Sequence, residues 1–185
     1  MQGNHLQKKK YFSLLSFLIF GFIFSVKSQT IDVITQEQSR GIISHLTYSP
    51  DGKLLASGSE DDPIVKIWDI KSGKIIGKLD AHDAPTSALK FSPDGTNIVS
   101  ADSDNKVIYW DILNWTLIDS TTLNYSISDI VFETETIFYS GDEKGDIHKW
   151  NTSSFNSAQV LYQCGSAINK LDLHETNLLI GTKSG

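Results

Sequence analysis

The chain of 185 residues is poor in several residue types, and each shortage excludes something. It has one cysteine, so Cys164 cannot form an intrachain disulfide; it sits in an apolar-flanked segment and reads as a small packed side chain. Arg40 is the only arginine, and no basic cluster occurs after residue 27, which disfavours electrostatic binding of nucleic acid. No metal-protease, P-loop, dinucleotide-binding or nucleophile-elbow motif is present. The five histidines (5, 45, 82, 148 and 174) are scattered without metal-ligand spacing, and His45 and His148 read as strand positions. The acidic turns "EDD" (60–62) and "DSD" (102–104) do not make a calcium loop, because Lys106 stands where an oxygen ligand is required. No metal and no cofactor is expected.

Long apolar runs are also scarce, with one exception. Lys8, Lys9 and Lys10 precede an uncharged stretch at 11–26, followed by Lys27 and Ser28. A basic start, a short apolar centre and small residues at Val26 and Ser28 predict a signal peptide over 1–28 and export of the remainder. The alternative is an anchor through 11–26, although sixteen residues are fewer than the ~20 that usually cross a bilayer. The segment contains four lysines and no acid, so its removal takes the net charge from −6 to −10, a balance that favours solubility.

What the chain has in quantity is Ser, Thr, Asp, Asn, Gly, Ile and aromatics, a mixture suited to short strands joined by turns. It also repeats itself. "SPDGKLLASGS" begins at Ser49 and "SPDGTNIVSAD" at Ser92, 43 residues on; Trp68-Asp69 and Trp110-Asp111 are 42 apart. A third unit ends at Trp150-Asn151 without the proline turn, and a fourth begins near 168. In Ser-Pro-Asp-Gly, proline presets φ, aspartate bonds its own backbone and glycine takes a positive φ. Alternating strands at Ile43–Tyr48, 88–91, Ile127–Phe132 and 168–173 lead into these turns. A second strand, a third ending in Trp and a looser outer strand then complete each unit. Four short antiparallel strands per ~40–45 residues predict blades of a β-propeller, an all-β fold.

These paired "SPDG…WD" units resemble the Trp-Asp (WD) repeat β-propellers, over about residues 31–185. The resemblance implies four-stranded antiparallel blades at about 42–80, 86–122 and 126–163, a partial blade at 167–185, and an incomplete ring. It also implies that residues 30–35 form the closing strand of the last blade. The family's internal hydrogen-bonded set of His, Ser, Asp and Trp maps onto His82, Ser100, Asp104 and Trp110. The first unit supplies Ser57, Asp62 and Trp68, with Ser39 in the histidine position. The third supplies Ser140 and Trp150, with Leu123 and Lys144 in place of His and Asp. Despite their likeness to a catalytic triad, the resemblance makes these residues structural.

The function implied is a non-catalytic protein-interaction or scaffold module with protein partners, acting outside the cell. Its candidate rim comprises Ser39, Arg40, Glu60, Asp61, His82, Asp83, Asp102, Glu143 and Lys144. Two alternatives are the propeller part of a larger secreted peptidase or hydrolase, and a propeller with an active site in its central channel. The closing "NLLIGTKSG" aligns with 137–145, which places the next Trp near 190 and predicts a chain truncated at its C-terminal end.

Overall fold

In the first two repeats a serine holds together the turn between the first and second strands. Ser49 Oγ donates to Asp51 Oδ1 at 2.7 Å and accepts from the Leu54 amide at 2.9 Å. Ser92 repeats this with Asp94 at 2.6 Å and the Asn97 amide at 3.0 Å. Gly52 and Gly95 sit at φ 69° and 75°, the left-handed region that a side chain would strain. The third turn has neither proline nor glycine; Thr134 Oγ1 accepts from the Ile137 amide at 3.0 Å instead.

The computed structural model describes residues 41–185. The predicted signal segment 1–28, the closing strand 30–35, Ser39 and Arg40 lie outside the described residues. Fourteen strands are described, in three antiparallel sheets of four and one of two, each in sequential order. The first sheet contains β1 (Ile43–Tyr48), β2 (Leu54–Ser59), β3 (Val65–Asp69) and β4 (Lys74–Leu79). The second contains β5 (Thr86–Phe91), β6 (Asn97–Asp102), β7 (Lys106–Asp111) and β8 (Thr116–Thr122). The third contains β9 (Ile127–Phe132), β10 (Ile137–Asp142), β11 (Asp146–Asn151) and β12 (Gln159–Gln163). The last pairs β13 (Ile168–His174) with β14 (Asn177–Thr182). This is a partial propeller: four-stranded blades, a two-stranded fourth sheet, and no closed ring among the described residues.

Burial follows position in the blade. The second and third strands of the first two blades are almost wholly buried and those of the third mostly so, whereas β4 alternates, β12 is exposed throughout and β14 has no buried residue. Each outer strand carries one extra residue opposite its partner, at Ile76, Ile118 and Leu161. Such bulges bend an outer strand away from regular edge pairing.

The core lies between sheets. Ile67 and Leu79 of the first meet Phe91, Ile98 and Trp110 of the second. Val107 and Tyr109 of the second meet Ile130, Phe138, Trp150 and Phe155 of the third. Phe138 stacks on Trp150 with centroids 5.3 Å apart and planes 7° from parallel. Small residues near the ends of the second strands let the next blade approach. A Cβ on Gly58 would come within 2.7 Å of Thr86, and one on Gly141 would collide with Ile168.

Candidate functional site

Three of the sequence-predicted polar residues converge in the second blade. Trp110 Nε1 donates to Ser100 Oγ at 2.7 Å, and Ser100 Oγ lies 2.6 Å from His82 Nε2. His82 Nδ1 lies 2.9 Å from Asp102 Oδ2. The proton order follows from the indole, which can only donate. Ser100 therefore donates its own proton to Nε2, and the Nδ1 proton goes to the Asp102 carboxylate. This arrangement requires a neutral imidazole. Burial is the main influence on His82 and pushes its pKa below the ordinary histidine value, against the opposing pull of Asp102.

The acid in this network is Asp102, not the expected Asp104. Asp102 ends β6, two residues beyond Ser100 on the same face, and is wholly buried. Its second oxygen accepts from the amides of Asp104 at 3.0 Å and Lys106 at 2.9 Å, which ties the turn to the imidazole. Asp104 supplies an amide to that turn and is exposed. Two assignments to the interaction rim are corrected by the same geometry: Asp102 and His82 are both buried, at 0% and 4% exposure.

The first blade keeps only the hydrogen bond from Trp68 Nε1 to Ser57 Oγ, at 2.8 Å. Asp62 lies apart from it and accepts from Lys66 Nζ at 2.8 Å and the Ile64 amide at 3.0 Å. Partial burial opposes ionisation of Asp62, but these hydrogen bonds hold its carboxyl below the usual range. The third blade keeps Trp150 to Ser140 at 2.8 Å and adds a pair that sequence reasoning missed. Asp142 Oδ2 meets His148 Nε2 at 2.9 Å, while Oδ1 accepts from the amides of Lys144, Gly145 and Asp146. His148 reaches this carboxylate from β11, its own third strand, where His82 reaches Asp102 from the loop before β5. The sequence signal was available: "SAD" (100–102) and "SGD" (140–142) place an acid two residues after the serine, whereas the first blade has "SGS" (57–59).

The exposed charges lie elsewhere. Glu60, Asp61, Asp83, Glu143 and Lys144 are all solvent-exposed. Glu60 and Glu143 help to line an open cavity of about 570 Å³ where the inner strands begin, together with Ser44, His45, Ser128 and Lys170. His45 is kept below its ordinary pKa first by burial and then by Lys170, with Asp129 and Glu60 opposing. Ser128 Oγ is committed to the backbone, donating to the Ile168 carbonyl at 2.7 Å.

Two family models match: a WD domain, G-beta repeat, over residues 73–111, and the Anaphase-promoting complex subunit 4 WD40 domain over 22–88. Similar proteins include a Periodic tryptophan protein 2 homolog of Neurospora crassa, 32% identical over 95 residues. That match covers 51% of this chain and 11% of the relative. The Caenorhabditis elegans homolog is 26% identical over 159 residues, covering 83% of this chain and 17% of its own length. The Caenorhabditis elegans Transcription initiation factor TFIID subunit 5 is 38% identical over 72 residues, covering 39% of this chain and 11% of the relative. The matched stretches thus span less than a fifth of each of these relatives. These relatives also overturn the expectation of export, because they are intracellular nuclear proteins.

Proposed function

The chain belongs to the WD-repeat β-propeller family, and on that premise we propose that it is a non-catalytic scaffold that binds other proteins through one rim. The single observation that carries this reading is the fate of its triad-like residues. Ser100 has no exposed surface, and its hydroxyl is enclosed between Trp110 and His82. A nucleophile must be reachable and its base free to take a proton. Here the base is occupied in locking strands, which argues for a structural use of this chemistry.

Glu60, Asp61, Asp83, Glu143 and Lys144 remain as solvent-exposed charges near the loops that lead into inner and third strands. Exposed polar loops on a rigid scaffold are where binding usually resides. Similarity to a subunit of a transcription initiation factor and to a domain named for an anaphase-promoting complex subunit supports a place in a multiprotein assembly.

The test is affinity capture with the full chain and two variants. Glu60→Ser/Asp83→Ser/Glu143→Ser is expected to lose captured proteins that Lys71→Ser/Glu135→Ser, altered in other exposed turns, retains. Equal melting temperatures establish that both variants are folded. Retention of every partner by the first variant would overturn the rim assignment.

A further inference from the structure

A second surface, remote from the rim loops, has a different chemistry. Leu54 and Ile76 of the first sheet and Ile112, Leu113 and Trp115 of the second line an open groove of about 620 Å³. That volume lies within the range of sites that accept large side chains or small ligands. Leu113 is 84% exposed and Ile76 46%. Asp111 is the one charged residue in the lining, and among the described residues no cation pairs with it.

One wall of this groove is held in a conformation that a side chain ordinarily avoids. Trp115 sits at φ 58°, in the turn position that Gly73 occupies in the first blade at φ 66°. A non-glycine residue there is strained. Its ring lies against β4, so close that a Cβ on Gly77 would stand 2.8 Å from two ring atoms. Contact across two blades therefore keeps the indole in place before anything binds. A wall ordered in advance loses less entropy on binding.

We propose that this groove docks a protein segment presenting a large apolar side chain with a cationic residue beside it. The apolar lining takes the anchor, and the Asp111 carboxylate faces the cation at the groove margin. That carboxylate already accepts from the Leu113 amide at 2.7 Å and from Asn114 Nδ2 at 2.8 Å, so its position is set by the turn. These hydrogen bonds, Asn114 foremost, also keep it ionised by lowering its pKa.

The probe is a displayed library of random heptapeptides, selected against the full chain and counter-selected against Leu113→Ser. Leu113 is exposed enough for this change to leave the fold intact, which an unchanged melting temperature would establish. Trp115 reports binding directly, because Trp68, Trp110 and Trp150 are buried and it is only partly so. Selected peptides are expected to share a large apolar residue next to Arg or Lys and to shield Trp115 emission from iodide. Their affinity is expected to fall about tenfold in Leu113→Ser. At low salt it should fall about fivefold in Asp111→Asn. The proposal is overturned if no selected peptide is sensitive to Leu113→Ser, or if the selected peptides carry an acid or no charge beside the anchor.

Discussion

The indole–hydroxyl–imidazole–carboxylate chain of the second blade concentrates its energetics in single atoms. Trp110 is 2% exposed, so Trp110→Ala removes a buried ring as well as a hydrogen bond. A loss of about 3–5 kcal/mol is expected in urea unfolding. Ser100→Ala deletes only an oxygen but leaves two buried groups without partners, for a cost of about 1–3 kcal/mol. The imidazole also makes stability depend on pH. The folded state holds His82 below its ordinary value, so the unfolded chain binds more protons at mildly acidic pH. The His82 contribution is complete above the unfolded pKa of about 6.5 and is lost as pH falls from there toward the folded value. Unfolding free energies at pH 7.5 and 5.5 should therefore diverge less in His82→Gln than in the parent chain. Identical pH dependence in the two would remove His82 from this role. Much of the network is readable from residue types, because a buried Trp and Ser at this spacing have few other partners. The acid is readable only from the two-residue period of the strand: Asp102 shares the face of Ser100, whereas Asp104, two residues further, falls in the turn.

Among the elements, packing between successive blades is governed by the small residue that follows the network serine. Gly141 lies under Ile168, so Gly141→Ala inserts a methyl where the first strand of the fourth sheet rests. Overpacking of this kind costs about 1–3 kcal/mol. Ile168→Ala should recover part of that loss, because the two changes share one contact and cannot be additive. A strictly additive double mutant in denaturant titration would contradict the contact. The second blade carries Ala101 at this position and buries it in the same cluster as Ile127, so the close approach is particular to the glycine sites. Trp115 shows the converse of this economy. A sequence pattern assigns glycine to a left-handed turn end, as at Gly73, and gives no reason for tryptophan there. The reason is tertiary: Gly77, 38 residues earlier, leaves the space that the ring fills.

On the scale of the whole molecule, the principal contacts between sheets run from each blade to the next: β1 and β2 to β5, β5 and β6 to β9, β9 and β10 to β13. Stability in such an array spreads by nearest neighbours. Hydrogen exchange is expected to be slowest in β6, β7, β10 and β11, which are buried, and faster in β12, which is exposed. Trp110→Ala should raise exchange in the first and second blades while leaving β13 and β14 close to their starting rates. A uniform rise across all four sheets would indicate global cooperativity instead. Cellular address proved the least legible property at this scale. The apolar run at 11–26 has the composition of a signal segment, yet the relatives are intracellular.

The repeat alone determined the all-β class, the four-strand rhythm and the places of the Ser-Pro-Asp-Gly turns and the Trp-Ser hydrogen bonds. These depend on contacts within about 45 residues, and each unit states them again, so local chemistry suffices. Tertiary structure decided that the loop before β5 brings His82 onto Asp102, that His148 and Asp142 form a second such pair in the third blade, and why a tryptophan tolerates φ 58°. Each of those depends on which face a strand end presents or on how closely another backbone approaches. Composition and spacing do not encode such distances; the packing of one strand or blade against the next does.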